Sequence, residues 1–154
     1  MKRFISAFLP ILILFCTIAL PVSAVSEEEY IIVSQETIYY EDGSYCIITV
    51  KESPMVLTRS GASKSGAKDY QYYAADGLGW TLTVNGSFIY PGTNTGSAYC
   101  ISASDSSRTY NGWSCSSSYA TYSGNTATAY GTFTRTATKS GSVSLSCSPT
   151  GELY

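Results

Sequence analysis

From about residue 30 onward, apolar and polar side chains alternate at period two, the spacing of a strand with one face buried. Trp80, Leu82 and Val84 alternate with Thr81 and Thr83. Val143, Leu145 and Cys147 alternate with Ser142, Ser144, Ser146 and Ser148. Stretches of helical period are missing. The segments "YCIITV" (45 to 50), "SPMVLTR" (53 to 59), "AYCISAS", "WSCSSSYATY" and "TATAYGTFTRTAT" carry further strands. Turn residues separate them: Glu41-Asp42-Gly43-Ser44, with Gly43 at positive φ, then Asp76-Gly77, "PGTNTGS" and Ser123-Gly124-Asn125. Pro54 restricts its strand to an edge or a start. Residues 60 to 68, "SGASKSGAK", lack any large apolar side chain and read as a loop. Asn85-Gly86 is either a tight turn or a bulge through which one long strand continues to Tyr90. With Ser87 it forms a glycosylation sequon by pattern, and the turn reading is preferred.

Seven to nine short strands punctuated by Gly, Asn, Asp and Ser predict an all-β protein. The expected form is an antiparallel β-sandwich, immunoglobulin-like among the options, or a small barrel. Thr-rich outward faces fit a pleated sheet better than a mucin-like stalk. No repeat of fixed period occurs.

The first residues differ in kind. Met1-Lys2-Arg3, an apolar run from Phe4 to Leu20 and then Pro21-Val22-Ser23-Ala24 have the order of a secretory signal peptide cut after Ala24. The apolar run is close to bilayer-spanning length, so a retained anchor is the competing reading; Pro21 favours cleavage by ending the apolar helix. Phe15 before Cys16 is too large for a lipid-attachment site. The expected organisation is a leader over 1–24 and one secreted β domain over 25–154, with 25–44 as a loosely attached N-terminal hairpin or extension. The expected setting is extracellular, with no membrane contact after cleavage.

The chain has nine Lys and Arg against eleven Asp and Glu, and losing Lys2 and Arg3 with the leader makes the remainder more acidic. Nucleic acid then has no electrostatic reason to bind. There is no histidine, which excludes Ser-His-Asp and Cys-His mechanisms and histidine metal sites.

Ser65-Gly66-Ala67-Lys68, Ser123-Gly124-Asn125 and Lys139-Ser140-Gly141 follow the order of the penicillin-recognising serine enzymes. Here, however, the serine lies in a polar segment of a β chain instead of at a helix start. Asp69, Asp76 and Asp105 sit beside turn residues, where Asp serves the backbone, and are not a glycosidase pair. No catalytic residue, metal site or cofactor is expected.

Four cysteines follow the leader: Cys46, Cys100, Cys115 and Cys147. An even number in an exported chain predicts disulfides, and their spacing is not that of a zinc site. The favoured pairs are Cys100 with Cys147 and Cys46 with Cys115. The first closes a long loop, which the chain-entropy account values at roughly 4 kcal/mol. Alternation leaves Cys100 with Cys115 open.

Fourteen tyrosines and two tryptophans supply large contact area at low entropic cost. Tyr70 and Tyr72 share one strand face, and Trp113 follows the Asn111-Gly112 turn. These three are the candidate ligand-binding residues. The ordinary alternative is that such rings are core or cross-strand pairs.

"WTLTVNGSFIY", a cysteine ten residues later, Tyr122-Ser123-Gly124-Asn125-Thr126-Ala127-Thr128 and the closing "LSCSPTGEL" come in order. Over residues 46 to 154 the chain resembles small exported proteins of Gram-positive, largely clostridial bacteria. The resemblance implies a β fold and an exported setting and assigns no functional residue. Cysteines matching Cys100 and Cys147 recur there without companions at Cys46 and Cys115, which implies the first pairing.

The expected function is therefore a secreted, non-catalytic β domain acting by surface binding, with a glycan or another surface protein as partner. A carbohydrate-binding module is one alternative, and a secreted inhibitor or antibacterial effector is another.

Overall fold

A computed structural model describes residues 30–53, 56–58 and 61–154. The leader, with its cleavage site, lies outside the described residues, as do Pro54 and the residues at 59 and 60. Among the described residues nine strands follow one another: β1 (Ile31–Tyr39), β2 (Tyr45–Glu52), β3 (Val56–Thr58), β4 (Gly61–Ala74), β5 (Gly77–Tyr90), β6 (Tyr99–Thr109), β7 (Ser114–Ser123), β8 (Thr126–Thr134) and β9 (Thr138–Ser146). The larger sheet has the order β1-β2-β4-β5-β6, with β3 also paired to β4; the smaller is β7-β8-β9. All pairings are antiparallel. The predicted all-β sandwich is present, and the sheets do not close into a barrel. Each sheet is a meander, β3 apart, so the described residues lack the Greek-key connections that define an immunoglobulin fold.

The predicted turns are in place, with Gly43 at φ 79° and Gly77 at φ 114°. Residues 60 to 68 depart from the expected loop: from Gly61 they form the first half of β4, paired with β2 and β3 on one side and β5 on the other. Small residues suit this stretch because the β2 backbone and the C-terminal tail crowd it. A Cβ on Gly66 would come 2.5 Å from the Lys51 carbonyl oxygen and run into the Leu153 side chain. Asn85-Gly86 also departs from the turn reading. β5 runs straight through it, and the irregularity falls between Ser87 and Phe88, which oppose Ser102 and Cys100 and leave Ile101 as the extra residue.

The core lies between β4–β5–β6 and β7–β8–β9. Trp80, Leu82, Val84 and Phe88 project from β5 onto Ala127, Ala129 and Phe133 of β8 and Val143 and Leu145 of β9. Size is complementary across the layer. A Cβ on Gly131 or Gly141 would come 2.7 Å from the Phe133 or Trp80 ring, so bulk on one strand requires its absence on another. After β9 the chain turns at Pro149 and Gly151 and returns. Cys147 bridges Leu153, Ser146 and Tyr154 exchange backbone hydrogen bonds, and Leu153 is buried.

β1 is different: all nine of its residues are exposed. Paired among the described residues only to β2, it adds an edge to the sheet and has no residue in the core cluster.

Candidate functional site

Tyr70 and Tyr72 project from β4 into the interior. Each stacks on Trp80 at 5.3 Å between ring centroids, and Trp80 stacks on Phe133 at 4.0 Å. Tyr72 is buried and Tyr70 half-buried. The Lys139 ammonium sits 4.8 Å from the Tyr72 ring centre and 3.4 Å from Asp42. Tyr70 and Tyr40 share a hydroxyl hydrogen bond of 2.8 Å. Burial, followed by the bond to Tyr40, pushes the Tyr70 phenol far above its ordinary range. A cleft of about 270 Å³ remains beside these groups. Trp113 meets Tyr72 edge-on at 5.8 Å, and its indole nitrogen is buried without a hydrogen-bond partner. The structure thus brings the three predicted aromatic residues together, with most of their ring surface committed to packing.

The four described cysteines are free thiols, so neither expected disulfide is formed in this structure. The backbone N–H groups of Cys100 and Cys147 donate to the consecutive carbonyls of Gly124 and Asn125, at 2.7 and 3.0 Å, so one turn holds both residues. Both are buried, and burial raises both thiols above the ordinary value of 9.0. Cys46 and Cys115 are not brought together. Cys46 lies on β2 and accepts from Tyr40, whereas exposed Cys115 accepts from Ser107 on β6. Three strand spacings, about 14 Å, separate β2 from β6, twice the Cα span of a disulfide.

The remaining motifs are dispersed. Ser65 and Lys68, three apart on β4, point to opposite faces. Ser123 and Asn125 flank the β7–β8 turn, and Lys139 is engaged with Tyr72 and Asp42. Asp69 and Asp105 lie inside β4 and β6, not beside turns as expected. Their register partners, Thr83 and Val84, are adjacent on β5, so the carboxylates occupy opposite faces. Asp76 does sit in the β4–β5 turn, paired with Arg135 at 2.6 Å, which holds its carboxyl below the usual value. Among the described residues no group of three or more His, Cys, Asp or Glu could hold a metal ion.

Chemistry that alternation did not single out lies on the outer face of the larger sheet. Register aligns Gln35, Thr49, Asp69, Thr83 and Ser106 in one row across β1, β2, β4, β5 and β6. The next row is Thr37, Ile47, Gln71, Thr81 and Arg108. Asp69 is 7% exposed although it is on the outward face. Its carboxylate pairs with Lys51 at 2.6 Å and accepts from the Thr83 hydroxyl at 2.7 Å. Around it runs a groove of about 420 Å³ whose lining includes Gln71, Thr81, Asn85 and Arg108 together with Tyr30 and Tyr110. Beyond Asn85 a second recess of about 280 Å³ continues over Ser65, Ser87, Ser102 and Ser104. On the other side of the groove Tyr39, Tyr45 and Tyr73 form a ladder with centroid spacings of 5.7 and 4.5 Å. The signal available in the sequence was Asp69 between Lys68 and Tyr70, a carboxylate interrupting a strand-like run.

No family model, curated protein or solved structure matches the chain.

Proposed function

We propose that this chain is an exported, non-catalytic binding domain whose working surface is the outer face of the larger sheet. On this reading the leader is removed after Ala24, the Cys100–Cys147 pair forms a staple outside the cell, and the partner is a glycan or protein of the envelope or extracellular space. The observation that carries the reading is Asp69, a carboxylate on an outward face that is nonetheless buried, ion-paired and fixed by a threonine at the floor of a groove. An ordinary solvated face has no need to recess and satisfy a charge in this way. The surrounding donors and acceptors stand on strands, which hold them in place before any partner arrives.

The test is retention of the purified domain on Gram-positive cell-wall sacculi. Thr81→Arg and Gln71→Ala, each checked for native circular dichroism, are expected to lose retention while Tyr122→Ala, on the other sheet, keeps it. Equal retention by all would overturn the reading. Alkylation of the exported protein in denaturant without reductant checks the staple. Two reactive thiols, Cys46 and Cys115, are expected, and four would exclude the bridge.

A further inference from the structure

Resting on the reading that the outer face is the working surface, we propose that its groove binds an oligosaccharide or polysaccharide laid across the strands. The lining decides the ligand class. Gln71, Asn85 and Thr81 carry neutral groups that both donate and accept hydrogen bonds, while Thr83, its proton given to Asp69, can still accept. A sugar hydroxyl has the same dual capacity, so neighbouring hydroxyls can be matched without regard to charge.

The groove's carboxylate is already neutralised by Lys51. Arg108 then remains as a cation with no carboxylate partner among the described residues. A single cation is too little for a nucleic acid, which requires several phosphate contacts. Its fork of donors does suit a pair of vicinal oxygens or the carboxylate of a uronic acid.

An apolar ligand would find few apolar walls here. A peptide adding itself as a strand requires a sheet edge, whereas this groove lies on a face. Tyr110 in the lining is 38% exposed and Tyr39 at the end of the ladder is 77% exposed, giving ring surface for the apolar side of a sugar. From Lys51 on β2 to Arg108 on β6 the groove crosses three strand spacings, about 14 Å. That is longer than a single pyranose ring, so the ligand is a chain of sugars.

The experiment is a glycan array containing cello-, xylo- and chito-oligosaccharides and polygalacturonate fragments, followed by titration calorimetry on the probes that bind. Wild-type protein is expected to bind at least one probe. Gln71→Ala combined with Asn85→Ala is expected to weaken that binding at least tenfold, and Arg108→Ala to weaken it further for polygalacturonate. Tyr70→Phe, which leaves the groove intact, is expected to bind like wild type. Native circular dichroism of each variant separates lost binding from lost folding. A flat array for the wild type overturns the inference, and so does sugar binding that the groove variants leave unchanged. The failures are distinguishable: retention on sacculi that groove variants abolish but that soluble glycan fragments released by a muramidase fail to compete away sinks the sugar while keeping the surface.

Discussion

Trp80 lies against Phe133, Tyr70 and Tyr72 and is 2% exposed, and its ring also fills the space that Gly141 leaves open. Truncating it removes contacts from both layers of the sandwich. Trp80→Ala is expected to cost about 3–5 kcal/mol in a urea titration. Gly141→Ala probes the same contact from the other side. The added methyl meets the Trp80 ring at 2.7 Å in a close-packed core, so a loss of about 1–3 kcal/mol is expected. Cys100 and Cys147 act at this scale through pH. Burial raises both thiols above 9.0, so in reduced protein the unfolded chain loses these protons first as pH rises. The stability they confer is complete below pH 9 and declines as pH climbs through their folded values. Urea midpoints of reduced protein between pH 7 and pH 10 should show that fall, and Cys100→Ala with Cys147→Ala should flatten it.

At the level of elements, β8, β9 and the first half of β5 were legible because apolar and polar residues alternate on them, and β2 because its turn contains an Asp-Gly pair; the continuation of β5 through Asn85-Gly86 was not. β4 was only half legible. Its second half announces itself with Tyr70, Tyr72 and Tyr73, while its first half is glycine, alanine, serine and lysine, residues with little intrinsic preference for a strand. That half is a strand because of its neighbours: β2 and β5 supply the hydrogen bonds, and the tight approach of Lys51 and Leu153 demands a residue without a side chain at Gly66. The outer-face groove was hidden for a related reason. Alternation marks outward residues as polar and does not distinguish a flat wet face from a recessed one; it took the register to place Asp69 beside Thr83 and Lys51. β1 marks the opposite limit, an apolar strand that buries nothing. Ile31 and Ile32 are 61% and 62% exposed, so Ile31→Ser with Ile32→Ser should change unfolding free energy by less than about 1 kcal/mol, in contrast to the same changes at buried Leu82 and Val84 on β5.

Across the whole molecule, the two meanders are joined through the β6–β7 corner and again through the returning tail. At the corner Asn111, at φ 49°, donates its side-chain amide to the Leu78 carbonyl at 3.0 Å. In the tail, Leu153 reaches from the end of the smaller sheet to Gly66 in the larger. Leu153→Ala should therefore cost about 2–5 kcal/mol, measurable by thermal or urea unfolding, although the residue lies far along the chain from most of the core. This seam also governs when the domain can form. Proteins commonly fold from the N-terminal side while synthesis continues, but here the larger sheet is covered only once β7 to β9 have been made, and the seam closes only once Leu153 follows them. A chain made only as far as β6 consequently leaves the core face of the larger sheet bare.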